Sequence, residues 1–254
     1  DAECEQIRIL VTKILGDDLA ADVTVTWYYD MDAAARPPTE HALARAGLYD
    51  HRPVTWAAAG LLLDDALATE KLDLPVLFGN AHPVEVEVGP GKGAFLLRRA
   101  AARPEVNFLG VEWALSYACY GADRAFRAGL QNVKLLCGDA ETVFRCAVPR
   151  QAIQRVHIYF PDPWPKQRHR HRRLVKVPFL RDVREALLLG GSLNIVTDHE
   201  EYFRRIRLTV MMTEGLAEVP FVGQADEWLV GSNFERKYAA SGKKFYAVSA
   251  VRLR

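Results

Sequence analysis

From Val84 to Thr213, short apolar runs of strand length alternate with longer amphipathic ones, and that alternation leaves few folds open. Strand-like runs fall at 84–88, 106–111, 133–137, 156–160 and 192–197, and helix-like runs at 94–102, 114–128, 177–189 and 200–213. A chain that returns to a strand after each helix lays its strands parallel, with helices covering both faces of the sheet. Residues 244–251 alternate in the manner of a strand and close the pattern as an antiparallel strand at or near an edge. The predicted fold class is α/β, a mostly parallel, doubly wound sheet with an antiparallel C-terminal strand. Before residue 75 the chain is acidic and alanine-rich, is broken by Arg36-Pro37-Pro38-Thr39, and is weakly helical over Leu61–Leu67. Residues 1–74 are therefore expected to be an N-terminal appendage and residues 75–254 the main domain. A chain of 254 residues, 50% hydrophobic, is long enough for that division.

The first candidate site follows the first strong strand, where Val84-Glu85-Val86-Glu87-Val88 runs into Gly89-Pro90-Gly91-Lys92-Gly93 and then a helix. Glycine permits positive φ and close approach of a ligand to the backbone, and a helix N-terminus offers unpaired N–H groups. Gly89, Gly91 and Ala94 also satisfy the dinucleotide fingerprint G-x-G-x-x-G/A, so an NAD(P)-dependent oxidoreductase competes for this motif. Glu87 and Pro90 weigh against a pyrophosphate. A carboxylate suits a cationic ligand, and proline removes an amide that would cradle phosphate. S-adenosylmethionine, with its ammonium and sulfonium, fits better. Glu112 ends the next strand and can accept ribose hydroxyls, while Asp139 follows the third and can accept from an adenine amine. Either acid alone has an ordinary alternative as a helix cap or first-turn residue.

The second candidate site is Phe160-Pro161-Asp162-Pro163-Trp164-Pro165, followed by Lys166-Gln167-Arg168-His169-Arg170-His171-Arg172-Arg173. Three prolines fix φ and remove donors, which predicts a stiff loop at the carboxyl end of a strand, where open α/β sheets place ligands. The cations that follow have no acid among them as far as Arg181. Net charge over the whole chain is only +1, so contact with a polyanion must come from such local segregation. Trp164 either stacks on a base or pins the proline loop, and the sequence leaves both open.

Together these motifs resemble the tRNA (guanine-N7-)-methyltransferase family over about residues 75–254. The resemblance rests on the Glu87 glycine turn, Gly110-Val111-Glu112, Gly138-Asp139-Ala140, the Phe160–Arg173 segment, Thr197-Asp198 and Ser232-Asn233-Phe234-Glu235, with Leu74-Pro75 and Phe78-Gly79-Asn80 as lead-in. It implies a Rossmann-like class I methyltransferase fold and transfer of a methyl group from S-adenosylmethionine to N7 of guanosine 46 in the variable loop of tRNA, giving 7-methylguanosine. It further implies that Glu87, Gly89, Gly91, Gly93, Glu112, Asp139 and Asp162 lie against the cofactor, with Asp162 also catalytic. Lys166, Asp198, Ser232, Asn233, Phe234 and Glu235 would contact the substrate, and Arg168, His169, Arg170, His171, Arg172 and Arg173 the RNA. His171 stands where the family usually has lysine and Ser232 where it usually has threonine.

Guanine N7 carries a lone pair and no proton, so the chemistry asks for positioning rather than a general base. Asp162 and Asp198 are suited to accept from guanine N1–H and N2–H₂. A non-catalytic tRNA-binding module on the same fold is the remaining alternative, and the intact strand-end acids weigh against decay. His157, inside an apolar strand, reads as a satisfied core residue. Cys4, Cys119, Cys137 and Cys146 lack C-x-x-C spacing, so no metal site is expected, and scattered thiols fit a reducing cytoplasm. No run reaches membrane-spanning length, and the acidic start is unlike a targeting peptide. A monomer or homodimer is expected.

Overall fold

In the computed structural model, which describes residues 60–63, 65–221, 235 and 242–253, the sheet has eight strands. They are β1 (Leu62–Leu63), β2 (Val84–Val88), β3 (Asn107–Glu112), β4 (Val133–Cys137), β5 (Ile153–Tyr159), β6 (Leu187–Thr197), β7 (Leu216–Val219) and β8 (Tyr246–Arg252). Their order across the sheet is β1-β4-β3-β2-β5-β6-β8-β7, parallel as far as β6 and antiparallel for β8 and β7. The α-helices are α1 (Leu74–Phe78), α2 (Ala94–Ala102), α3 (Leu115–Arg127), α4 (Ala140–Cys146), α5 (Val177–Ala186) and α6 (Glu200–Met211). Right-handed crossovers put α2 and α3 on one face and α4, α5 and α6 on the other.

Every residue of β2 and β3 is buried, as expected for a parallel sheet covered on both sides. The interior is aliphatic around Val86, Leu109, Leu136, Val156 and Ile195, with Phe144 and Phe179 edge to face at 5.6 Å beneath α4 and α5. From β2 the chain steps to β3 and then β4 in one direction, and afterwards crosses back to β5 and β6 on the other side of β2. The switch point lies between β2 and β5, and its carboxyl end is where such sheets hold ligands.

Three expectations shift. Leu62–Leu63 does not extend a helix; it pairs in parallel with Leu135 and Leu136, and only Asp65–Ala68 forms a 3₁₀ turn. Helix α5 stops at Ala186 instead of 189, because Leu187 is already extended and paired with Ile153. Strand β5 likewise begins at Ile153, ahead of the expected 156, with a register shift between Ile153 and Arg155 that absorbs the polar start. The expected appendage up to residue 59 lies outside the described residues, as do Ser232, Asn233 and Phe234.

Candidate active site

Glu87 comes to rest at the carboxyl end of β2 with only 4% of its surface exposed, and its Oε2 has no hydrogen-bond partner. Burial pushes its carboxyl up to about 8, and repulsion from Glu112 adds to this against the pull of the Leu96 N–H. An orphaned acid in this position is complete only when a cation or a donor meets it. Directly after it, Gly89, Gly91 and Gly93 all adopt left-handed backbone, with φ of 71°, 53° and 72°. A Cβ at Gly89 or Gly91 would meet nothing within 4 Å, so the turn opens onto free space beside Glu87. Those two observations fit the residues to a ligand with a cationic end and a close backbone approach. That is the chemistry of S-adenosylmethionine.

Glu112, also buried, receives the Gly91 N–H on Oε2 at 2.8 Å and the Ala114 N–H on Oε1 at 3.0 Å. It therefore brackets the glycine turn to the turn after β3. Burial raises its pKa, backbone N–H groups pull it down, and the Asp162 charge pushes it up again. Asp162 is thus within electrostatic reach of Glu112. Asp139 caps α4, with Oδ2 accepting from Thr142 N and Thr142 Oγ1, both at 2.9 Å. The ordinary cap is thus present, and it uses one carboxylate oxygen.

Beneath these acids Glu85 is fully buried, with Arg99 at 2.7 Å, Arg103 at 2.9 Å and His157 Nε2 at 3.0 Å. His157 Nδ1 lies 2.7 Å from the Tyr159 hydroxyl. Burial drives the His157 pKa down to about 4, so it is neutral, with Nε2–H donating to Glu85 and Nδ1 accepting from Tyr159. His157 is a satisfied core residue that links β2 to β5. Burial raises the Tyr159 pKa and the charge of Glu87 raises it further.

Across the cleft, Phe160 and Trp164 both take positive φ, 54° and 40°. For residues with a side chain this conformation costs about 1–2 kcal/mol each. Asp162 lies between them and is exposed. The three prolines keep the segment out of helix and strand as far as Pro165, and then Gln167–Arg172 forms a 3₁₀ helix, where the sequence pointed only to a loop. Trp164 stacks on His169 at 5.9 Å and has the Arg172 guanidinium over its ring at 5.0 Å, so it fastens that helix to the proline loop.

Lys166, Arg168, Arg170, His171 and Arg172 are exposed on this turn, with His169 half-buried against Trp164. Arg170 also lies 3.6 Å from Glu201. Arg173 departs from the RNA-contact expectation. It is 5% exposed, donates through Nε to the Pro163 carbonyl at 2.7 Å, pairs with Glu201 at 2.6 Å and lies over the Tyr202 ring. Its guanidinium is consumed in holding the loop to α6.

Asp198 follows β6 at the same edge and pairs with Lys243, a residue that no sequence motif singles out. Glu235 is buried and helical. Among the described residues no cluster of three or more His, Cys, Asp or Glu is placed to hold a metal ion, and no helix is long and apolar enough to cross a membrane.

A family model described as a putative methyltransferase matches residues 81–248. The tRNA (guanine-N(7)-)-methyltransferase of Aeromonas hydrophila is 35% identical over 175 residues, covering 67% of this chain and 73% of that one. The enzyme of the same name from Rubrobacter xylanophilus is 35% identical over 185 residues, covering 71% and 82%. Among solved structures, the 16S rRNA methyltransferase KamB superposes with a TM-score of 0.54 at 15% identity, over 72% of this chain and 94% of that one. At that identity the likeness speaks to the fold alone.

Proposed function

Because the chain belongs to the tRNA (guanine-N7-)-methyltransferase family, we propose that it methylates N7 of a guanosine in tRNA, using S-adenosylmethionine, at position 46 of the variable loop and in the cytoplasm. The observation that carries this reading is that the carboxyl ends of the neighbouring strands β2 and β5 carry, on one side, a buried carboxylate with one unpartnered oxygen beside an open glycine turn and, on the other, an exposed carboxylate on a strained, cation-flanked loop.

When bound, S-adenosylmethionine supplies a sulfonium methyl group, the electrophile that the purine lacks. Glu87 would face its cationic end, the Gly89–Gly93 turn would line its backbone side, and Glu112 and Asp139 would accept from ribose and adenine. No proton has to leave N7, so the protein's part is to hold the base edge and to offset the positive charge that develops on the purine. Asp162 would serve both tasks, a role supported by its exposure and its electrostatic reach to Glu112. Asp198 would take part in reading the base, and Lys166, Arg168, Arg170, His171 and Arg172 would meet phosphates. An extruded base costs a few kcal/mol of stacking, which contacts along the RNA must offset. A pyrophosphate-binding reading fits poorly, because Glu87 and Glu112 put two buried carboxylates at the turn.

The test is incubation of purified protein with labelled S-adenosylmethionine and tRNA transcripts, followed by mapping of the methylated nucleotide. Label at guanine N7 is expected. Saturating incubation that leaves every tRNA unmethylated overturns the proposal.

A further inference from the structure

We propose that Lys243 is a guanine-reading residue: with Asp198 it forms a donor–acceptor pair that takes O6 and N1–H of the target base, an assignment that rests on the function proposed above.

Asp198 is the residue after Thr197 at the end of β6, and Thr197 pairs with Tyr246 at the start of β8. That register brings the run from Gly242 to Phe245 back over the carboxyl edge of the sheet, where the Lys243 ammonium closes an ion pair with Asp198 Oδ2. The pair is tied to the proline loop. Phe245 packs edge to face on Phe160 at 5.4 Å, and the Phe160 N–H donates to the Val196 carbonyl at 2.7 Å. Asp162 is two residues beyond Phe160. The Asp198 side chain is recessed, 17% exposed, while that of Lys243 stands more open at 36%.

An ammonium only donates and a carboxylate only accepts. Guanine presents an acceptor, O6, beside a donor, N1–H, so it matches the pair in one orientation. Adenine presents the reverse, a donor at position 6 and an acceptor at N1, and would set donor against donor and acceptor against acceptor. O6 also neighbours N7, so a base held this way is fixed next to its reacting atom. Because Asp198 neutralises Lys243, the pair reads the edge without adding net positive charge beside a purine that is becoming cationic. Among the described residues, Arg173 and Arg170 are engaged on Glu201. As a plain surface ion pair Lys243 would contribute little, and its loss would leave turnover unchanged.

The test uses the full chain with Lys243→Met and Lys243→Arg, and tRNA carrying either guanosine or 6-thioguanosine at the methylated position. Sulfur is the weaker acceptor. On guanosine tRNA, Lys243→Met is expected to lower kcat/KM about 10- to 100-fold, the range for one good base-edge contact. Lys243→Arg should recover much of that loss, with KM for S-adenosylmethionine and Tm unchanged in both. The sulfur substitution should penalise wild type and have little further effect on Lys243→Met. The assignment is overturned if Lys243→Met keeps wild-type kcat/KM, if its loss tracks a lowered Tm that Arg does not restore, or if sulfur penalises both proteins equally. A wild-type chain that methylates no tRNA overturns the function itself, and this assignment with it.

Discussion

The tips of β2, β3 and β4 and the tips of β5 and β6 face one cleft, yet they hold their charges in opposite ways. On the β2 side Glu87 and Glu112 are buried, the turn carries glycines in conformations natural to them, and Oε2 of Glu87 is left without a partner. On the β5 side the charges are mostly exposed, and the backbone is bent at Phe160 and Trp164, where a side chain makes the bend unfavourable. A buried unpaired group is unfavourable until something binds, and a strained exposed loop is held by its surroundings whether or not something binds. The first arrangement suits a small ligand that must be enclosed. The second suits a large one that must be met at the surface.

The sharpest way to break this contrast is Asp162→Ala. If Asp162 acts on the substrate from the exposed side, kcat should fall about 10²- to 10³-fold, in the range for removing one preorganised electrostatic contact. Cofactor affinity, measured by calorimetry, should change far less. A parallel collapse of both would move Asp162 to the cofactor side of the comparison.

Glu87 tests the buried side through pH. Its folded carboxyl sits at about 8, above the ordinary value, so between roughly pH 4.5 and 8 the folded chain keeps a proton that the unfolded chain releases. Stability of the ligand-free protein should therefore fall as pH rises through that window. Affinity for the cationic cofactor should rise over the same window, by up to about tenfold per pH unit below 8. In Glu87→Gln both slopes should flatten, as thermal melts and titrations at pH 6, 7 and 8 would show. Unchanged slopes would mean that Glu87 is not the titrating group.

On the β5 side, Arg173 and Arg168 should separate. Arg173→Met removes a buried guanidinium with three attachments and should cost about 2 kcal/mol of stability, read as a lowered denaturation midpoint. Arg168→Ala should leave stability unchanged and weaken tRNA binding several-fold, with the salt slope of log K falling by somewhat less than one unit. Equal behaviour of the two would erase the division between structural and RNA-facing cations.

Where local chemistry decided the outcome, the sequence was readable. Strands β2 and β4 and helix α2 fall on their expected residues, because β-branched and aliphatic runs end at glycine or at a capping acid. Strand-end position likewise set Glu87 and Glu112 at the ends of β2 and β3 and Asp139 just after β4. What escaped depended on partners far along the chain. Leu62–Leu63 is a strand only because β4 lies beside it, and β7 is four residues, too short to show alternation. Arg173 looks like its neighbours in a basic run, and only the fold turns it inward toward Glu201. Lys243 reads as an ordinary surface lysine until the β6–β8 register sets it on Asp198.

The two left-handed residues that bracket Asp162 have a kinetic consequence. A turn already bent by folding, with Trp164 clamped between its own 3₁₀ helix and the proline run, has little left to order when RNA arrives. On the proposed function, the slow event at this turn would belong to the nucleic acid, in the swing of one purine out of its stack, while the turn itself is already shaped.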